Sequence, residues 1–117
     1  MDSGINSVEY VNLDDAVTRV GGNASLYKRL LGRFLDGKHF EVLELALKNG
    51  NMEDAIHQAH SLKGVSANLS LAKVSSTAAK LEQLLKNEDN YSSCLEELKQ
   101  AVAITTEIIS EILDSAQ

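Results

Sequence analysis

The chain has 117 residues, 44% of them hydrophobic and 24% charged, with a formal net charge of −6 and a pI near 4.9. That is one globular domain rather than a disordered segment, and its acidity argues against a broad nucleic-acid groove. One cysteine, Cys94, excludes an internal disulfide and a cysteine-cluster zinc site and fits a reducing, cytoplasmic setting.

Proline is absent, where ordinary usage would give about six, so a common helix breaker is missing. Helical periodicity runs nearly throughout. Asn12 caps a first short helix, with Asp14 and Asp15 in its first turn and Leu13, Ala16, Val17 and Val20 as its apolar side. Gly21-Gly22-Asn23 ends it, and Asn23 or Ser25 starts the next helix. Leu26, Leu30, Leu31, Phe34 and Leu35 recur there at helical steps. Gly32 and Gly37 weaken this helix by about 1 kcal/mol each, so packing compensates or the helix bends near Gly37. The run Phe40, Val42, Leu43, Leu45 and Leu47 carries it on to Lys48.

Asn49-Gly50-Asn51 is the clearest break. A third helix runs from Met52 to about Leu69, with Met52, Ala55 or Ile56, Ala59, Leu62, Ser66 and Leu69 as its seam. A fourth follows through Val74, Ala78, Leu81 and Leu84-Leu85. After a turn at Asn87-Glu88-Asp89-Asn90, the last runs from Tyr91 towards Leu113, with Leu95, Leu98, Val102, Ile108-Ile109 and Ile112 apolar. Short connections imply antiparallel neighbours. The expected fold is all-α: an antiparallel up-and-down four-helix bundle with an additional short N-terminal helix, one domain over residues 1–117. No apolar run reaches the roughly 18 residues of a membrane span, and the N-terminus lacks the pattern of a signal peptide. No long heptad extension is reserved for a partner helix, so a monomer is expected.

One stretch can carry chemistry: Ala59-His60-Ser61-Leu62-Lys63-Gly64-Val65-Ser66-Ala67-Asn68-Leu69. On a helical wheel His60 falls well off the centre of the Ala59–Leu62–Ser66 seam, beside Gly64 and Ala67. Lys63 lies one turn along, between His60 and the seam. A neutral imidazole nitrogen is a nucleophile near pH 7, and a lysine beside it can neutralise phosphoryl oxygens. Gly64 supplies no side chain, so a partner's active site can approach. Each residue also has a plainer reading: His60 as a surface histidine, Lys63 as a solvated charge, Gly64 as a close helix–helix contact. His57, His60 and Glu53 have spacing that can place ligands on one side of a helix, yet no third histidine is near, so a zinc site is not expected. His57 reads as a rim or solvated residue. Cys94 reads as a buried small hydrophobe, and Tyr27 as packing or boundary.

With these residues in place, the chain resembles the histidine-containing phosphotransfer (HPt) domains of bacterial two-component phosphorelays. His60-Ser61-Leu62-Lys63-Gly64 is similar to the family's signature, and Leu13-Asp14-Asp15-Ala16, Val20-Gly21-Gly22-Asn23, Leu26-Tyr27, Leu30-Leu31, Phe34-Leu35 and Leu81-Glu82 resemble its surrounding pattern, over about residues 10–113. The resemblance implies that His60 is phosphorylated through Nε2, that Lys63 stabilises the phosphoryl group and that Gly64 keeps the surface open. It also implies that Glu82, or Gln83 beside it, holds the Nδ1 proton. One departure is Ser70, where the family commonly has a second glycine; serine is small and can cap the following helix.

The implied cycle has two half-reactions. His60 takes a phosphoryl group from a receiver-domain aspartyl phosphate and passes it to another receiver aspartate. The implied partners are response-regulator receiver domains or a hybrid sensor kinase, with no nucleic acid and no membrane. The chain itself would carry no cofactor and no metal, the divalent cation belonging to the receiver. No Gly-rich phosphate loop is present, so a phosphocarrier is expected rather than a self-sufficient kinase. An apolar patch flanking His60, including Leu35 or Leu69, would suit receiver docking. Two other classes compete: a helical adaptor without chemistry, and the phosphoacceptor module of a chemotaxis-type kinase. The absence of a kinase domain before Gln117 favours a free-standing carrier or an excised module.

Overall fold

The structure is a computed structural model that describes residues 10–12, 15, 16, 18 and 21–114. Five helices follow in order: α1 (Ala24–Gly37), α2 (His39–Lys48), α3 (Met52–Asn68), α4 (Ala72–Lys86) and α5 (Ser92–Asp114). No strand occurs among the described residues. Three residues connect α2 to α3 and α3 to α4, and five connect α4 to α5. Connections that short set consecutive helices antiparallel. The result is the all-α bundle that the periodicity predicts, with α3 and α4 in the most extensive contact. No described helix is long and apolar enough to cross a membrane.

Of the short N-terminal helix, Asp15, Ala16 and Thr18 are described and helical. Asn12 caps them, its Oδ1 accepting from the Asp15 N–H at 3.1 Å. Leu13, Asp14, Val17 and Val20 lie outside the described residues. Asn23, rather than Ser25, caps α1, accepting from the Leu26 N–H at 2.9 Å.

The predicted helix from Leu26 to Lys48 is broken. Lys38 takes the left-handed conformation, with φ 50°, and separates α1 from α2. The His39 ring folds back over Gly37, so close that a Cβ there would lie 2.6 Å from Nε2. The same ring stacks on Phe34 with centroids 5.4 Å apart. A larger residue at position 37 would have to displace this ring, and the chain turns at Lys38 instead of bending at Gly37. In α2, Phe40 and Leu43 go into the core, while Val42 and Leu45 are exposed. The apolar run is longer than one helix face can bury.

The core includes Leu31, Leu43, Ala59, Leu62, Val74, Leu81, Leu85, Leu98 and Ile109. In α3 the seam is Ala55, Ala59, Leu62 and Ser66, while Met52 is exposed rather than buried. Ile56 flanks the seam, half-buried. Cys94 is buried, as its seam position predicts, and burial pushes its thiol pKa up. Tyr27 does more than pack. Its buried hydroxyl donates to the Leu69 carbonyl at 2.8 Å, tying α1 to the end of α3. Burial pushes the Tyr27 phenol up to about 12, so it stays a donor.

Helices α2, α3 and α4 end in one hydrogen-bond pattern. Asn51, Leu71 and Asp89 donate back to Ala46, Ser66 and Leu84 at 3.0, 2.8 and 2.9 Å. The residue before each donor, Gly50, Ser70 or Glu88, has φ of 71°, 60° or 57°. This is the Schellman end, which favours glycine at its left-handed residue. Ser70 is thus no cap for α4, whose N-cap is Leu71 without a side-chain hydrogen bond. Its hydroxyl donates instead to Asp15 Oδ2 at 2.7 Å, and its carbonyl accepts from the Asn12 N–H at 3.2 Å. Glu88→Gly is expected to stabilise the fold by about 1 kcal/mol, by removing left-handed strain. Ser70→Gly is expected to gain less, because the Asp15 hydrogen bond is lost. Urea denaturation of both variants checks the ranking; an equal or larger gain for Ser70→Gly would contradict it.

Candidate functional site

Helix α3 carries His60, Lys63 and Gly64, and α4 carries Glu82 and Lys86. The two helices are held together by seams that include Ala59, Leu62 and Ser66 on one side and Ala78, Leu81 and Leu85 on the other. Ser66 Oγ donates to the Leu62 carbonyl at 2.6 Å, so this polar seam residue is satisfied within its own helix. Glu82 follows Leu81 on the inward side of α4, and its side chain is only 4% exposed.

A buried carboxylate is costly unless it is paired and hydrogen-bonded. Three donors meet this one. His60 Nδ1 and Lys86 Nζ each lie 3.0 Å from Oε2, and Lys63 Nζ lies 3.0 Å from Oε1. Burial by itself raises the Glu82 pKa; the hydrogen bonds from Lys86, Lys63 and His60 outweigh it and bring it to about 2. The carboxylate is therefore ionised and acceptor-only at neutral pH. That assigns the proton of His60 to Nδ1 and leaves the Nε2 lone pair free. The His60 side chain is 63% exposed, so this nucleophilic nitrogen belongs to a ring that solvent and a partner can reach.

Of the predicted site residues, the structure brings together His60, Lys63 and Glu82. Gln83 is exposed, and the hydrogen bond to His60 comes from Glu82 instead. A Cβ built on Gly64 meets nothing within 4 Å, so this exposed glycine serves no helix–helix contact. His57 is exposed one turn before His60. Among the described residues no three histidine, cysteine, aspartate or glutamate side chains converge to hold a metal ion. Leu69 is buried and contributes to an open groove of about 440 Å³ with Leu30, Arg33 and Val65, whereas Leu35 is half-buried in a separate one.

Lys86 is the residue that sequence reasoning misses. The signal was available: Glu82 and Lys86 are four apart on a predicted helix with the acid N-terminal, the favoured order for an ion pair. On the other side of Lys63, an open hollow of about 340 Å³ is lined by residues that include Ala67, Ser70, Ala72, Ser76 and Ala79. The surface beyond Lys63 is thus built largely from small side chains.

Residues 30–114 match the family model described as Hpt domain. The match begins after α1 has started, so the resemblance read over residues 10–29 lies outside it. No curated protein and no solved structure gives a match.

Acid should weaken the fold through Glu82. Its pKa is depressed from 4.5 to about 2, so its contribution to stability is full above pH 4.5 and is lost as the pH falls towards 2. In Glu82→Gln the loss of stability between those pH values is expected to be shallower than in the native chain. Urea midpoints at stepped pH measure this, and parallel curves for the two proteins would refute it.

Proposed function

The chain belongs to the Hpt domain family, whose members carry out histidine phosphotransfer in phosphorelays, and we propose that this member carries its phosphoryl group on His60 Nε2. The observation that supports this reading most is the pairing of an exposed imidazole with a buried, ionised carboxylate at Nδ1. That pairing fixes the tautomer in which Nε2 is the nucleophile.

The reaction has two halves. The Nε2 lone pair attacks the phosphorus of a receiver's aspartyl phosphate in line, an N–P bond forms, and the O–P bond breaks with its electron pair left on the aspartate. The phosphorylated ring keeps its Nδ1 proton and gains a positive charge, which faces Glu82. In the second half, another receiver's aspartate attacks phosphorus, and the N–P electron pair returns to the ring as neutral imidazole. Lys63, one turn from His60, compensates charge on the phosphoryl oxygens. Gly64 leaves room for the receiver to approach.

On this reading the chain supplies nucleophile, proton holder and local charge, and the receiver supplies the acceptor carboxylate and a divalent cation. The chain works as a cytoplasmic monomer between receiver domains, one of which can belong to a hybrid sensor kinase. Transfer from a radiolabelled, phosphorylated receiver tests it. The native chain is expected to gain acid-labile, base-stable label, and His60→Gln to gain none while remaining folded by circular dichroism. Label on both proteins would move the acceptor to His57, and label on neither across a broad receiver panel would favour the adaptor reading.

A further inference from the structure

The carboxylate of Glu82 holds more positive charge than the histidine requires. Two ammonium groups share it with His60 Nδ1, and one of them, Lys86, sits on the same oxygen as the imidazole. Lys63 and Lys86 are 37% and 48% exposed, so both remain within reach of solvent while anchored to a buried group. With one negative and two positive charges, the cluster carries one net positive charge before any phosphoryl group arrives. We propose that Glu82, Lys63 and Lys86 together set how long His60 holds a phosphoryl group, with Lys86 a positioning residue that acts through Glu82. This rests on the phosphocarrier reading above.

The lifetime turns on the Nδ1 proton. The N–P bond breaks most easily when the ring leaves as neutral imidazole, which requires that Nδ1 keep its proton. If the proton is lost first, the ring must leave as imidazolate, a far poorer leaving group. The Glu82 carboxylate holds that proton and so keeps the phosphorylated ring ready to give up its load. Lys86 opposes this. By donating to the same oxygen it draws off part of the negative charge that faces Nδ1. The phosphoryl group then brings its own negative charge towards Lys63, one turn along α3, and that ammonium stabilises the loaded state when it turns from Glu82 Oε1 to a phosphoryl oxygen. Glu82 therefore shortens the lifetime of the phosphohistidine and Lys86 lengthens it. A glutamine at position 82 would still accept from Nδ1, but it would hold the proton weakly and release both lysines.

The two side chains are thus expected to act in opposite directions, which loss of structure alone would not produce. The test uses the full chain phosphorylated with phosphoramidate, the site mapped by mass spectrometry and the half-life of the phosphohistidine followed at neutral pH by phosphorus NMR. Relative to the native chain, Glu82→Gln is expected to lengthen the half-life about tenfold and Lys86→Met to shorten it about fivefold, the scale of one charge-assisted hydrogen bond. Lys86→Arg, which keeps the charge and the donor, should restore a near-native value. Shifts in the same direction for Glu82→Gln and Lys86→Met, or no shift in either, overturn the proposal. If Glu82→Gln does not fold, the exposed Lys86 decides alone: a shortening in Lys86→Met that Lys86→Arg reverses upholds it, and an unchanged half-life overturns it. Native chain that takes no label on His60 from either phosphoramidate or a receiver overturns the phosphocarrier reading itself, and this inference with it.

Discussion

The arrangement of the site depends on one buried carboxylate. Glu82 sits at the α3–α4 interface, the most extensive helix contact in the molecule, where an unpaired charge would be strongly destabilising. Its three donors come from both helices: His60 and Lys63 from α3, Lys86 from α4 itself. The carboxylate therefore fixes the rotation of the two helices about each other as well as the tautomer of the histidine. A helix turned by one residue would point Gln83 at His60 and leave Glu82 to solvent. The apolar seam of α4 prevents that turn, because Leu81, Leu85 and Ala78 would leave the core with it.

The far end of α3 is pinned in a different way. The Tyr27 hydroxyl satisfies the Leu69 carbonyl, and Ser70 joins the end of α3 to Asn12 and Asp15 of the N-terminal segment. These contacts meet backbone groups that a helix terminus leaves without partners inside the helix. They also give Ser70 a reason to occupy a left-handed position that glycine would fill with less strain. The strain is offset by a tether that glycine has no atom to make. Helix α3 is thus held at its seam by α4 and at its C-terminal end by α1 and the N-terminal turn, so the surface that carries His60 has a fixed base.

Much of this was legible in the residues. Periodicity located α3, α4 and α5 to within a residue or two, because each presents a single apolar seam bounded by clear turn residues. It failed between Leu26 and Lys48, where the apolar pattern runs on and the break is a left-handed Lys38, a residue type that spacing does not mark as a turn. Met52, read as part of the α3 seam, is exposed, and so are Val42 and Leu45 of the apolar run in α2, because a helix covered on one side cannot bury every apolar residue it carries. At the site, the wheel placed His60 outside the seam with Lys63 between it and the core. The choice between Glu82 and Gln83 came from the family resemblance, which left both open; the structure puts Glu82 on the buried side of α4 against His60 and leaves Gln83 exposed. Lys86 is not marked by the histidine's neighbourhood along α3, because the third donor is added from α4 by an ion pair local to that helix.

What the site lacks is enclosure. His60 stands on a convex helix surface beside Gly64 and Ala67 on its own helix, and the hollow beyond Lys63 is lined by small residues that include Ala72, Ser76 and Ala79. An enzyme that keeps a reactive intermediate usually excludes water from it, and a histidine with a side chain 63% exposed cannot. Openness is what a carrier requires, since the same nitrogen must enter the concave site of one partner and then that of another. On the phosphocarrier reading it also means that no wall of this chain governs how fast a phosphoryl group on Nε2 is lost. The chain's remaining influence lies behind the ring, at Nδ1, and in the Lys63 ammonium one turn along the helix. Both converge on Glu82. On the phosphocarrier reading, an exposed intermediate and a buried charge cluster are therefore two parts of one solution: access is given at the front of the imidazole and reactivity is set at its back.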